Sequence, residues 1–324
     1  MSFKYINPGY AIFIGDTSQT TEILGYQYSK TGIAFTQKKD YQNPGIYLPN
    51  FNSGDDFWAK FDFYLPSKPE YLNICCYAPN TEHYGFYLIR QTTSFSIHAA
   101  YVKGNSGQTL ASGSTSDGTA ESVCGLKLNA INTVLLHVHY GTVDTAYMDI
   151  TVNDKKFARS ENYRAIPYSS SAYDKRAGFY TSMDSTPISN IILSTEEINI
   201  KENVIALPIN STETDMTFDS ETGIYTATAP NQTLLSAVDV EGLSNEYGSD
   251  STVTGIALVG NPAYKTANGL TSLTAISKDS VNSVTEFDSI SLSDDTSAMI
   301  LNSFSTDTSI GNLQNYEFGW KAGS

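Results

Sequence analysis

Few side chains in this sequence stand at spacings that could do chemistry. His137 and His139 lie two residues apart in the alternating run 133–140, so a strand would present both imidazoles on one side, with His98 as a third nitrogen for a metal. No carboxylate or Cys cluster is placed to complete that shell, and imidazoles on a solvated sheet bond equally to neighbouring polar groups. No metal is assigned. Nucleophile patterns are missing too: there is no Gly-x-Ser-x-Gly and no legible Cys–His setting. Gly104-Asn105-Ser106-Gly107 lacks the strand and helix flanks of a phosphate loop. Calcium, held through loop carbonyls and scattered Asp, is left open without a site, because no Asp-x-Asp-x-Asp-Gly run occurs. No other cofactor and no catalytic residue is expected.

Recognition chemistry is better represented. Alternation separates the two sides of a strand. In 57–64 one side carries Phe57, Ala59, Phe61 and Phe63, and the other Trp58, Lys60, Asp62 and Tyr64. In 71–77 the run predicts Leu72, Ile74 and Cys76 inside, with Tyr71, Asn73, Cys75 and Tyr77 outside. Leu135, His137 and His139 form another outward set, as do Tyr147, Asp149 and Thr151 opposite the buried Met148, Ile150 and Val152. An aromatic ring with a polar edge offers a flat apolar surface and a hydrogen-bonding handle, the complement of a sugar ring flanked by hydroxyls. The expected ligand-binding residues are therefore Trp58, Lys60, Tyr71, Tyr77, His137, His139 and Tyr147. The plainer alternative is that these are solvent-facing residues of types that favour strands anyway.

The elements that must position them are strands. Short alternating runs punctuated by Gly, Pro, Asn, Asp and Ser recur along the chain, and no long helical period appears. Residues 103–125 are rich in Gly, Ser and Thr and read as a long mobile loop. Asn153-Asp154 reads as a tight hairpin turn. Near residue 200 a charged bridge, Glu196-Glu197-Ile198-Asn199-Ile200-Lys201-Glu202, precedes a segment poorer in aromatics and richer in Thr, Ser, Asp and Ala. The expectation is an all-β chain of two domains: a β-sandwich over 1–200 and a smaller β-sandwich over 201–324, serving assembly or attachment.

Charge narrows the partners. With 34 acidic against 19 basic residues the 324-residue chain carries a formal charge of -15, which repels nucleic acid and anionic membranes. No run approaches the length of a membrane span and no signal peptide is legible, so synthesis and folding in the cytoplasm are expected, with release to a virion or cell surface by lysis. Cys75 and Cys76 are neighbours and poorly placed to bridge each other; a bond from either to Cys124 stays open.

Several segments resemble the concanavalin A-like lectin/glucanase jelly roll and its laminin G-like members. They are Gly32-Ile33-Ala34-Phe35, the 45–49 strand, Asp55-Asp56-Phe57-Trp58-Ala59-Lys60-Phe61, Val134-Leu135-Leu136-His137-Val138, Met148-Asp149-Ile150-Thr151-Val152-Asn153-Asp154 and Ile191-Ile192-Leu193-Ser194-Thr195-Glu196-Glu197-Ile198. Asp154 stands where the family usually has glycine. The resemblance implies two curved antiparallel sheets over the first 200 residues and a role in glycan or protein binding. Its glucanase branch carries Glu-x-Asp-x-x-Glu, which this sequence lacks: 197–202 has Asn at its centre and 286–291 ends in Ser. The C-terminal part, ending Phe318-Gly319-Trp320-Lys321-Ala322-Gly323, resembles small β-domains of phage tail and prophage surface proteins. The expectation is a non-enzymatic recognition protein for a glycan or cell-surface polysaccharide, mounted among other virion or surface proteins, with a homo-oligomer left open. A structural virion or surface-layer subunit is the alternative, and a glycosidase or polysaccharide lyase the second.

Overall fold

The computed structural model describes residues 3–9, 20–24, 33–37, 46–65, 72–78, 82–91, 94–102, 107–114, 118–142, 144–161, 176–181, 187–205, 207, 209–260, 262–266, 269–296 and 299–324. The chain divides into two compact units, Met1–Ile205 and Ala206–Ser324. Both are built of antiparallel strands, so the all-β expectation holds.

The first unit opens with β1 (Lys4–Asn7), β2 (Thr20–Leu24), β3 (Ile33–Gln37), β4 (Ile46–Tyr47) and β5 (Asp56–Leu65). Next come β6 (Leu72–Ala78), β7 (Glu82–Gln91), β8 (Ser94–Val102), β9 (Gly107–Ser114) and α1 (Thr119–Cys124). The unit closes with β10 (Ala130–His139), β11 (Tyr147–Val152), β12 (Lys155–Lys156), β13 (Ser160–Glu161), β14 (Arg176–Thr181) and β15 (Ile188–Ser194). One sheet runs β12-β11-β10-β5-β15-β3-β2, with β1 added on β15 and β13 on β11; the other runs β4-β14-β6-β7-β8-β9.

Alternation in β5 explains the sandwich. Phe57, Ala59, Phe61, Phe63 and Leu65 are all buried, and Phe86 of β7 meets Phe61 and Phe63 across the gap with ring centroids 6.1 and 6.5 Å apart. Val134, Leu136 and Val138 of β10 and Met148, Ile150 and Val152 of β11 extend the same layer. Each large apolar side chain so buried is worth about 1.5–3 kcal/mol, which fixes this side as the interior.

Residues 103–125 are not one loop, for they contain β9 and α1. β9 is an edge strand bonded to β8, and a Cβ on its Gly113 would lie 2.6 Å from the Thr119 carbonyl oxygen, so its small residues serve the helix packed beside it. Cys124 is buried and unbridged. The Asn153-Asp154 turn does join β11 to β12, with Val152 opposite Lys155. Asn153 has φ 52 while Asp154 is not in the left-handed region, so the place where the resemblance expects glycine does not demand one.

The second unit contains β16 (Ile209–Thr214), β17 (Thr217–Asp219), β18 (Ile224–Thr226), β19 (Thr233–Val238), α2 (Glu241–Tyr247) and β20 (Thr252–Gly260). It ends with β21 (Ser272–Asp279), β22 (Val284–Ser291), β23 (Ile300–Ser309) and β24 (Tyr316–Gly323). A five-stranded sheet, β16-β19-β24-β21-β22, is covered on one side by the β20–β23 ribbon. Ala275, Ile300 and Trp320 form the contact, with Leu258, Leu273, Phe287 and Ile290 around them.

Candidate functional site

The outer face of the β5–β10–β11 sheet gathers most of the residues that could bind a ligand. Pairing sets them in two rows: Trp58 opposite His137 opposite Asp149, and Asp56 opposite His139 opposite Tyr147. Side chains directly opposite one another stand close enough to touch. The Trp58 and His137 rings stack at 4.4 Å and 3°, and His139 stacks on Tyr147 at 4.7 Å and 10°. Tyr147 also meets His137 edge to face at 5.4 Å.

Asp56 ties the histidines together. Its Oδ1 accepts from His137 Nε2 and His139 Nδ1, each at 2.8 Å. The other nitrogen of His137 lies 3.5 Å from Asp149 Oδ2. Asp149 is in turn held by Arg159, whose Nε and Nη2 donate to its two oxygens at 2.8 and 2.7 Å. Burial pushes the Asp149 carboxyl upward, but the hydrogen bonds and charge of Arg159 outweigh it, and the net position is below the ordinary carboxylate value. The Tyr147 phenol moves up instead: burial raises it, Arg159 opposes, and Asp56 and Asp149 add to the rise. Tyr147 therefore carries its proton at neutral pH.

Arg159 also sits 3.7 Å over the Tyr147 ring, on which His139 stacks as well. Tyr147 thus braces its neighbours, and the stacking surface passes to Trp58. The cluster is partly open, with side-chain exposures from 13% at Asp149 to 41% at Arg159. Fixed donors, carboxylate acceptors and an indole make an array suited to hydroxyl groups. Among the described residues no group of three His, Cys, Asp or Glu is arranged to hold a metal ion. His98 belongs to β8, in the other sheet.

The seven expected residues do not form one site. Trp58, His137, His139 and Tyr147 come together; Lys60 does not join them. Its side chain is fully buried, 4.0 Å from the equally buried Asp62, so its expected exposure is corrected. The reason is that β15 bulges here and the segment after it returns over this end of the face: Asn190 bonds Asp62, and Val204 N–H donates to Asn190. Tyr77 lies in β6 of the other sheet, opposite His83 and Arg176, so its backbone cannot share the β5–β10–β11 face. Its side chain, like the whole of Tyr71, lies outside the described residues.

Asp56 and Arg159 were missed by sequence reasoning. Asp56 carried a signal, two residues before Trp58 on the same side of a strand. Arg159 follows β12 in irregular chain, where no period points anywhere.

Comparison with known proteins gives no family model match and no match among curated proteins. Among solved structures, an endo-β-1,4-glucuronan lyase from the fungus Trichoderma reesei is 13% identical, covering 59% of this chain and 95% of that one with a TM-score of 0.38. The potassium-bound carbohydrate recognition domain of Emp46p is 12% identical, covering 60% and 98%, with a TM-score of 0.34. The Caenorhabditis elegans galectin LEC-6 is 14% identical, covering 45% and 90%, with a TM-score of 0.26.

Proposed function

We propose that this protein recognises carbohydrate through the outer face around Trp58 and His137, without turning the sugar over, as one component of a virion or cell-surface assembly. One observation carries the reading: a partly exposed indole backed by a parallel imidazole, beside a carboxylate oxygen already oriented by two histidines. Such a set is preorganised, so little side-chain entropy is lost when hydroxyls bind. The ring of Trp58 supplies the apolar platform, while Asp56 accepts hydroxyl hydrogens. Tyr147 and Arg159 position the others.

The two near-miss carboxylate motifs support recognition over catalysis. Glu202 caps the Asn199 N–H at 2.8 Å and pairs with Lys4, while Glu286 is bonded to Lys321. Neither stands on the proposed face. The engaged faces of Tyr147 favour a second reading, in which the stacked rings stiffen the sheet of a purely structural subunit.

A glycan array probed with the full chain separates these. Binding that falls roughly thirtyfold in Trp58→Ala, about 2 kcal/mol, is the expected result. No binding to any glycan would leave the structural subunit, and sugar released from a polysaccharide panel would replace recognition by catalysis.

A further inference from the structure

Lys60, Asp62 and Asn190 are each 0% exposed, on a strand face that alternation assigns to the outside. Charged and amide side chains are rarely buried so completely unless they are paired or hydrogen-bonded to one another. Register brings them together. Ile192 stands opposite Lys60 and Ser189 opposite Asp62, so Asn190 and Ile191 share the single position opposite Phe61. Asn190 takes φ 53 in this bulge, a conformation that Asn tolerates better than most residues.

The Asp62 carboxylate lies between an amine and a carboxamide. Its Oδ2 accepts from Asn190 Nδ2 at 2.9 Å, and its Oδ1 is 4.0 Å from Lys60 Nζ. Thr133 Oγ1 donates to the same Oδ1 at 2.6 Å and holds the carboxylate in place. On the far side of the amide, Asn190 Oδ1 accepts the Val204 backbone N–H at 2.7 Å, which fixes which atom of the side chain is oxygen. Nδ2 also donates to Asn203 Oδ1 at 3.2 Å.

We propose that Lys60 and Asn190 become joined by an intramolecular isopeptide bond, with Asp62 carrying the proton between them. Asp62 takes a proton from Lys60 Nζ, and the neutral amine attacks Asn190 Cγ. Negative charge then develops on Oδ1, where the Val204 N–H already points. As the bond from Cγ to Nδ2 breaks, the proton passes from Asp62 to the departing nitrogen, which leaves as ammonia, and the freed carboxylate takes the second proton from Nζ. Amine plus carboxamide gives secondary amide plus ammonia, so no oxidant, cofactor or energy source is consumed. Enclosure excludes the water that would otherwise compete for the carbonyl. The product staples β5 to β15 and closes a loop of roughly 130 residues. It also anchors the strand from which the chain continues toward the second unit.

Mass spectrometry of the full chain, denatured and digested, tests this directly. The expected finding is a branched peptide joining Lys60 to Asn190, lighter by about 17 Da than its two parts combined. Asp62→Ala and Asn190→Ala should yield the unbranched peptides, whereas Asn190→Asp should still cross-link, losing water in place of ammonia. The wild-type digest decides even if a variant fails to fold. Full recovery of separate Lys60 and Asn190 peptides from folded wild-type protein would overturn the proposal.

Discussion

The two ends of the outer row on β5 make an instructive contrast. At one end Asp56 and Trp58 meet His137 and His139 across the strand pair and stay partly open to solvent. At the other, Lys60 and Asp62 lie under the β15 bulge and the chain that follows it, fully enclosed. Strand, side and alternation are the same. What differs is a distant segment that passes over one end only, so side-chain direction says which layer a residue joins but not what lies above it.

The largest expected effect tests that contrast at its closed end. Asp62→Ala removes the carboxylate that the cross-link requires, so Lys60 stays a buried ammonium with no carboxylate beside it and Thr133 Oγ1 loses its acceptor. Breaking such a pair costs about 3–5 kcal/mol, since the remaining charge stays buried. Denaturant unfolding should register it as a lower midpoint with a steeper slope, because the variant's unfolded chain lacks the cross-link and exposes more surface. A loss under about 1 kcal/mol would mean that this end of the face is open after all.

Trp58→Ala should behave oppositely. Losing the stack on His137 removes about 0.5–1.5 kcal/mol of stability, while carbohydrate affinity falls by the larger factor given above. Equal losses in Trp58→Ala and Asp62→Ala denaturation curves would erase the distinction between the two ends.

These outcomes also measure what the sequence could reveal. The alternation of Phe57, Ala59, Phe61 and Phe63 made the interior legible, because a period of two survives any arrangement of neighbouring strands. His137, His139, Tyr147 and Trp58 were legible as outward residues for the same reason. Their meeting was not, since it depends on β10 pairing with β5 across more than seventy residues of chain. Lys60 was misread because its cover comes from Asn190 and Val204, whose positions follow from a bulge that leaves no mark in composition. Arg159 needed the short β12 to turn the chain back on Asp149.

A smaller effect sharpens the open end. Asp149 has its folded-state value held down by Arg159, so the stability it contributes is fully present above its ordinary value of 3.8 and is lost as pH falls through the lower folded value. Arg159 is 41% exposed and solvent screens the pair, so the contribution is about 1 kcal/mol or less. Unfolding curves of wild type and Arg159→Ala should therefore differ near pH 7 and converge once the pH has fallen below the lowered folded value of Asp149. A gap that persists in acid would assign the role of Arg159 to its contact with the Tyr147 ring.

The smallest effect is expected in the second unit, where the sheet carries partly exposed ion pairs in place of stacked rings. Lys321 Nζ bonds Glu286 Oε1 between β24 and β22, and the two side chains are 25% and 53% exposed. Coulomb attraction in so much water is weak, and holding two long side chains in one geometry costs entropy, so such pairs are worth about 0–1 kcal/mol. Lys321→Ala should accordingly shift the unfolding midpoint slightly at low ionic strength and not at all near 1 M salt, where the Debye length is about 3 Å. A larger or salt-independent loss would show that the Lys321 stem packs on the sheet. The second unit's outer face would then resemble the enclosed end of β5 more than the open one.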